Sequence, residues 1–487
     1  MQAYLDATAE SEAHGQSPNK KARTEEDMVH ISLVGLGGDQ IAEGTWHKSC
    51  KLREVFKTAS RSRPGLQISL LHGSLKLQPD MDLEILNSSL GCLSLTVVCT
   101  KASHCRQITH IGFAFAATKR NGSVITWGDE YNGGNSYWVA PKLQDGVIQV
   151  AGSCGAFAAV KADGSVVTWG AEDDGGDSSS VADKLQDGVV HVAGTSKAFA
   201  AIKADGSVVT WGHSFSGGSI DRVADKLQDG VVQVAGSLAA FAAVKADGSV
   251  VTWGSANCGG NSTSVAYKLR DGVVQVAGTS RAFAAIKADG SVITWGCAYS
   301  GGKSASVAEK LREGVVQVAG TGGAFAAIKA DGSVITWGAE AYGGNSSSVA
   351  GKLLEGVVHV AGTGGAFAAV KADGSVVIWG HGNVGGNSSA VEGKLREGVV
   401  QVAGTSRALA AIKADGSVVT WGDEAYGGNS SLVADTLQGG VVQVVGSCGA
   451  FAAVKVDGSV ITWGSADHGG DSTAVAHKLQ EGVVQVS

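Results

Sequence analysis

The side chains able to do chemistry are spread along this 487-residue chain rather than gathered. There are eight cysteines, and the nearest two are Cys99 and Cys105. A structural zinc site needs tighter pairs and more ligands, so these read as free thiols of a reducing compartment. A Lys-Ala-Asp-Gly run recurs, as at Lys203 to Gly206 and Lys287 to Gly290. Its aspartate is a turn residue first, because no Asp-x-Asp ligand run accompanies it as a calcium loop requires. A phosphate loop in its required spacing is absent, and no His-Glu-x-x-His occurs. Nothing singles out a Ser-His or Cys-His pair. The expectation is a non-enzyme with no catalytic residues, no metal and no cofactor.

What varies is more informative than what is reactive. The chain repeats with a strict 42-residue period, and two short segments differ from copy to copy while the framework hardly changes. One follows a Trp-Gly pair: Asp129-Glu130-Tyr131, Glu172-Asp173-Asp174, then segments holding Phe215, Tyr299, Tyr342 and Tyr426. The other precedes an alanine-rich run: Ser196-Lys197, Leu238-Ala239, Ser280-Arg281, Gly322-Gly323 and Ser406-Arg407. Variable loops on a fixed scaffold are where binding specificity sits, and aromatics with arginine make interface anchors. Drift in exposed loops produces the same pattern, so both readings stand. The candidate partner-binding residues are Asp129, Glu130, Tyr131, Glu172, Asp173, Asp174, Lys197, Phe215, Arg281, Tyr299, Tyr342, Arg407 and Tyr426.

The elements that must hold these segments follow from the period. Trp-Gly recurs at Trp127, Trp169, Trp211, Trp253, Trp295, Trp337, Trp379, Trp421 and Trp463. Fixed self-similarity of this length marks a propeller or solenoid. In one unit Val399 to Ala403 reads as a first strand and Ala408 to Lys413 as a second. Ala414-Asp415-Gly416 is a turn, and Ser417 to Trp421 a third strand. Asp-Gly between β-rich runs signals a hairpin, since both residues tolerate positive φ. The stretch Val433 to Leu437 is a fourth strand or a helical turn. Both variable segments then lie at one end of each blade, opposite the hairpins. On the hairpin rim the repeated Lys and Asp form a ring of alternating charge. A blade this small cannot bury both faces alone, so each Trp must fill a layer against a neighbour. Its loss would be costly but local.

The framework, as in Val399 to Gly404, Asp415-Gly416, Trp421-Gly422 and Gly427-Gly428, resembles the regulator-of-chromosome-condensation repeat. Two departures stand out. The units are shorter, and the family's frequent His before the second strand is Ala, as at Ala282 and Ala408. Short units are closer to the bacterial beta-lactamase-inhibitor propeller of that superfamily. The resemblance covers 105–487 and implies an all-β propeller of nine three- to four-stranded blades that binds proteins. Nine exceeds the usual four to eight blades. Val483 to Val486 is a tenth copy of the first strand and Cys105 to Ile108 a degenerate one, so the chain ends complete a ring or leave an open superhelical array.

Residues 1–27 are polar and aperiodic and read as a disordered tail. Within them Lys20-Lys21-Ala22-Arg23 is a nuclear import signal or a solvated charge run. Residues 28–100 read as ββαββ: Val29 to Val34, Ile41 to Trp46, a helix over 48–60, Leu66 to Leu71, Leu75 to Leu77 and Leu93 to Val98. This order resembles a ubiquitin-like (β-grasp) α+β domain, with Ser94 and Thr96 polar where ubiquitin carries part of its binding face. The whole implies a protein-binding scaffold. A ubiquitin-pathway adaptor related to HECT ligases and an exchange factor for a small GTPase are the alternatives. A formal charge of -7 argues against nucleic acid. No apolar run reaches the roughly 18–20 residues of a membrane span. The expected location is cytoplasmic or nuclear.

Overall fold

The computed structural model describes residues 28–35, 40–50, 52, 55, 66–72, 75–76, 83, 92–101 and 112–487. The chain divides into two compact units, Met1–Ser103 and His104–Ser487. The expected tail and the degenerate strand at 105–108 lie outside the described residues.

In the first unit β1 (Met28–Gly35), β2 (Gln40–His47), β3 (Leu66–His72), β4 (Leu75–Lys76) and β5 (Cys92–Lys101) form one sheet. Its order is β2-β1-β5-β3-β4, with β1 and β5 parallel and the other pairs antiparallel. The alternation of β1 puts Val29, Ile31 and Leu33 into the core with Leu70, Leu93 and Leu95. Most of the expected helix falls outside the described residues. Its Leu52 and Val55 are fully buried in the same core, and Val55 is helical.

The second unit is all-β. It starts with β6 (Ala114–Lys119) and β7 (Val124–Gly128), followed by β8 (Val147–Gly152), β9 (Ala156–Lys161) and β10 (Val166–Gly170). Among the described residues, nine three-stranded antiparallel sheets recur in step with the sequence. In eight of them three consecutive strands pair in order, as in β8-β9-β10. The sheet of β6 and β7 takes its third member from the end of the array, where Val483–Val486 pairs with β6. Ser487 and Ala116 exchange backbone hydrogen bonds of 2.8 and 3.0 Å. The segment left open between strand and turn is a 3-10 turn, such as Ser431–Leu437. Leu437 anchors it in the core, and the Asn429 side chain caps the amide of Ser431 at 2.9 Å.

Packing between sheets explains the alanine-rich second strand. Alternate residues face opposite neighbours. In one layer Ala240, Ala242 and Val244 of one sheet meet Phe283, Ile293 and Trp295 of the next. The small face is small because it receives an indole and a phenyl ring. Phe283 and Trp295 stack with centroids 5.4 Å apart. The Trp295 indole N–H donates to the Gly259 carbonyl of the preceding unit at 2.9 Å. The indole bond recurs at all nine seams, including the last against the first, where Trp127 donates to Gly469 at 3.0 Å. The Trp421 unit alone has Leu409 in place of the phenyl ring.

The hairpin end is uniform. Asp205 accepts from the amide and hydroxyl of Ser207 at 2.8 and 2.7 Å, and this turn recurs in eight units. Asn121 makes it in the first. The repeated lysine is a clamp rather than a free cation. Lys203 donates to the Lys184 carbonyl at 3.2 Å and lies 3.4 Å from Asp187.

Candidate protein-binding rim

The two variable segments meet at one end of each sheet. The Asp423 amide donates to the Arg407 carbonyl at 3.1 Å, and the same bond joins His213 to Lys197 at 2.8 Å. The loop then needs a left-handed residue, supplied by the first glycine of each Gly-Gly pair. Gly259 has φ +94, and a Cβ there would lie 2.6 Å from the Phe283 ring. A buried hydroxyl fixes the loop's last variable residue by its carbonyl. Thr195 donates to Ser216, Ser237 to Cys258 and Thr321 to Tyr342, at 3.0, 2.8 and 2.7 Å. All of these anchors grip backbone, so the side chains are free to differ.

The segment before the second strand is tied differently. Cys154 donates its backbone N–H to the carbonyl of Ser196 at 2.9 Å, and Ser196 donates to Leu238. The relay passes through Ser280, Gly322, Gly364, Ser406 and Cys448 to Gly112. These residues therefore bind neighbouring sheets together around the axis, and the position after each presents Lys197, Arg281 or Arg407 in three units and a buried glycine in four others.

Among the predicted residues, Glu130, Tyr131, Glu172, Asp173, Lys197, Phe215, Arg281 and Tyr299 are exposed, Tyr131 and Tyr299 by 85% and 86%. Asp129 is half-buried and caps Asn132. Asp174 departs from the expected exposed loop residue. It is buried and paired with Lys197 at 2.9 Å, because the position before Gly-Gly points down between adjacent units. Tyr342, at the same position, lies over Gly322 and Gly323 and is still 44% exposed. Arg407 sits 5.1 Å above the Tyr426 ring and 3.1 Å from Asp423.

Residues outside the predicted set extend this group. Tyr426 approaches His468 at 6.3 Å, and His468 stacks on Phe113 at 5.1 Å. A row of one cation and three rings thus crosses the Trp421, Trp463 and Trp127 units. Tyr137 and Trp138 are 72% and 91% exposed and meet edge to face at 5.3 Å, with Pro141 beside them. The other units carry residues such as Ser179-Ser180 and Ser347-Ser348 there, which was the available signal.

No family model matches the chain, and no curated protein matches it. Among solved structures it is similar to Prp20p of Saccharomyces cerevisiae, at 16% identity over 66% of this chain and 82% of that one, TM-score 0.36. A second structure, yeast RCC1 (Prp20) bound by Kap60, gives 15% over 73% and 91%, TM-score 0.40. The CRINKLY WD40 ectodomain of the Arabidopsis thaliana receptor kinase ACR4 gives 14% over 65% and 95%, TM-score 0.35. The arrangement of blades in this chain rests on its own hydrogen bonds.

Ring order changes the electrostatics of the rim. The loops after Trp-Gly in the Trp421, Trp463, Trp127 and Trp169 units hold eight acids: Asp423, Glu424, Asp467, Asp129, Glu130, Glu172, Asp173 and Asp174. The other five hold one, Glu340. These four units are far apart in sequence at the array's two ends, yet consecutive around the ring, because the ninth sheet packs on the first. Lys197 and Arg407 neutralise Asp174 and Asp423. Burial, then Asp174, pushes the Cys154 thiol up to about 12, so it stays protonated at neutral pH. Among the described residues no helix is long and apolar enough to cross a membrane.

Proposed function

We propose that this chain is a non-catalytic protein-interaction scaffold. It is a closed nine-bladed propeller of the regulator-of-chromosome-condensation type joined to a ubiquitin-like module. The parallel β1–β5 pair at the centre of the five-stranded sheet supports the module reading. The observation that carries the function is the asymmetry of the loop rim. One arc of four consecutive units concentrates the acids and, in the Trp127 unit, the exposed Tyr131, with the exposed Tyr137 and Trp138 on the 3-10 turn that leaves the same loop. Carboxylates with open aromatic faces suit a protein segment rich in lysine and arginine, by charge and by cation–π contact. The remaining arc shares the scaffold without the charge.

Capture from lysate by the full chain tests this. The variant Tyr131→Ser/Trp138→Ser/Glu172→Lys/Asp173→Lys loses the captured partners, whereas Phe215→Ser/Tyr299→Ser on the other arc keeps them. All four side chains of the first variant are exposed, so its melting temperature matches that of the parent. An unchanged set of partners after the first variant refutes the proposal.

A further inference from the structure

The hairpin rim carries an apolar feature that neither its turns nor its lysine clamps require. Each first strand begins with two β-branched residues in succession. Val189 is buried and pairs with Lys203, but the next pair is His191 with Ile202. Val190 is the extra residue of a bulge, which takes it out of the alternation and turns it to solvent. The same register shift recurs in all nine first strands. It exposes Ile148, Val190, Val232 and their equivalents at 42-residue steps through Val484, each 44% to 61% accessible. First strands are the innermost. The Gln149 amide reaches the Val192 carbonyl of the next sheet at 3.1 Å. The nine aliphatic side chains therefore form an annulus around the axis, at the hairpin end. A scattered exposed valine is ordinary, but a contiguous apolar patch of this kind marks an interaction surface.

We propose that this annulus is a self-association face on which a second copy of the chain stacks head to head about the shared axis. Three observations select the second copy. The patch repeats nine times in nearly the same surroundings, so a partner engages all of it at once only by presenting the same repeat, and an identical chain does so by construction. The surrounding charge is self-complementary. The repeated lysines are held within each copy, as Lys245 is by Asp229, but Arg270, Arg312 and Arg396 are exposed beside the exposed Asp271, Glu313 and Glu397, so a two-fold pairing brings arginines of one copy to carboxylates of the other. The size also fits. Nine half-exposed aliphatic side chains and the adjoining turns offer an area of the order of the roughly 800 Å² that each partner buries in a standard interface.

Sedimentation equilibrium of the full chain over a dilution series tests the proposal. A concentration-dependent dimer is expected. The variant Val232→Lys/Val274→Lys/Val316→Lys crowds like charges into the annulus and weakens dimerisation by about tenfold or more, with near-ultraviolet circular dichroism unchanged. Should the lysines impair folding, Val→Thr at the same three positions keeps the branch and the bulge and still weakens association. A parent chain that stays monomeric at the highest attainable concentration overturns the inference. So does a threonine or lysine variant that dimerises like the parent, or a dimer that Tyr131→Ser on the other rim abolishes.

Discussion

The two rims of the repeat array grow from the same strands, yet they hold their surfaces in opposite ways. At the loop rim every anchor grips main chain: Thr195 holds the Ser216 carbonyl, and the first glycine of each pair turns the loop. Most side chains there are left to solvent, so an aspartate, a tyrosine or a serine fits, and the position before Gly-Gly is the one that turns inward. At the hairpin rim the anchors are themselves side chains. Asp205 closes its turn on Ser207, and Lys203 bridges back to Asp187. Change there breaks a structural bond, and the rim is accordingly monotonous. Diversity follows from which atoms do the holding.

That contrast implies a common layer beneath both rims that tolerates nothing, and this is where the largest effect is expected. Trp295→Ala removes a buried indole, its stacking on Phe283 and its bond to Gly259, and should cost about 3–5 kcal/mol in urea unfolding. A cost below about 1 kcal/mol would mean that the seams do not carry the rims. A smaller effect tests whether all seams make the same demand. Leu409→Phe restores the missing ring against Trp421 and should stabilise by about 1 kcal/mol. Destabilisation would show that this seam has adapted to leucine. The smallest effect per site concerns the exposed hairpins. Bonds from Ser291, first through its hydroxyl, hold the Asp289 carboxyl below its ordinary value of 3.8. The stability such a group adds is present above that unfolded value and fades as pH falls through the lower folded one. Asn121 makes the same turn without titrating. Asp205→Asn/Asp247→Asn/Asp289→Asn should therefore lose less melting temperature than the parent between pH 6 and pH 3. Equal losses would place the acid sensitivity elsewhere.

The period, the hairpin at each Asp-Gly and the buried tryptophans were legible because each is a local pattern that recurs without insertion. The 3-10 turn at Ser431–Leu437 was not, since the five residues from Val433 to Leu437 are of mixed polarity and satisfy either period. The acidic arc was invisible for a different reason. Asp129 and Asp467 sit near opposite ends of the array in sequence, and only ring order makes their units neighbours. Val190 was misleading in its own way. Val-Val-Gln-Val reads as a plain strand, whereas the doubled valine marks a bulge that costs one step of alternation. Asp174 was expected among freely exposed loop residues, and the inward position before Gly-Gly assigns it to packing, whereas Tyr342 at the same position stays exposed.

The closing strand has one more consequence. The seam between the Trp463 and Trp127 sheets uses the same stack and the same indole bond, 3.0 Å long, as the seams made by uninterrupted chain. Where the polypeptide enters and leaves this circle is therefore a matter of connectivity rather than of energy. A circularly permuted chain, opened at another hairpin and joined between the present array ends, would meet the same set of contacts in a different order. What would change is the order in which the blades can be completed as the chain emerges, because the blade that waits for its last strand is always the one that holds both ends.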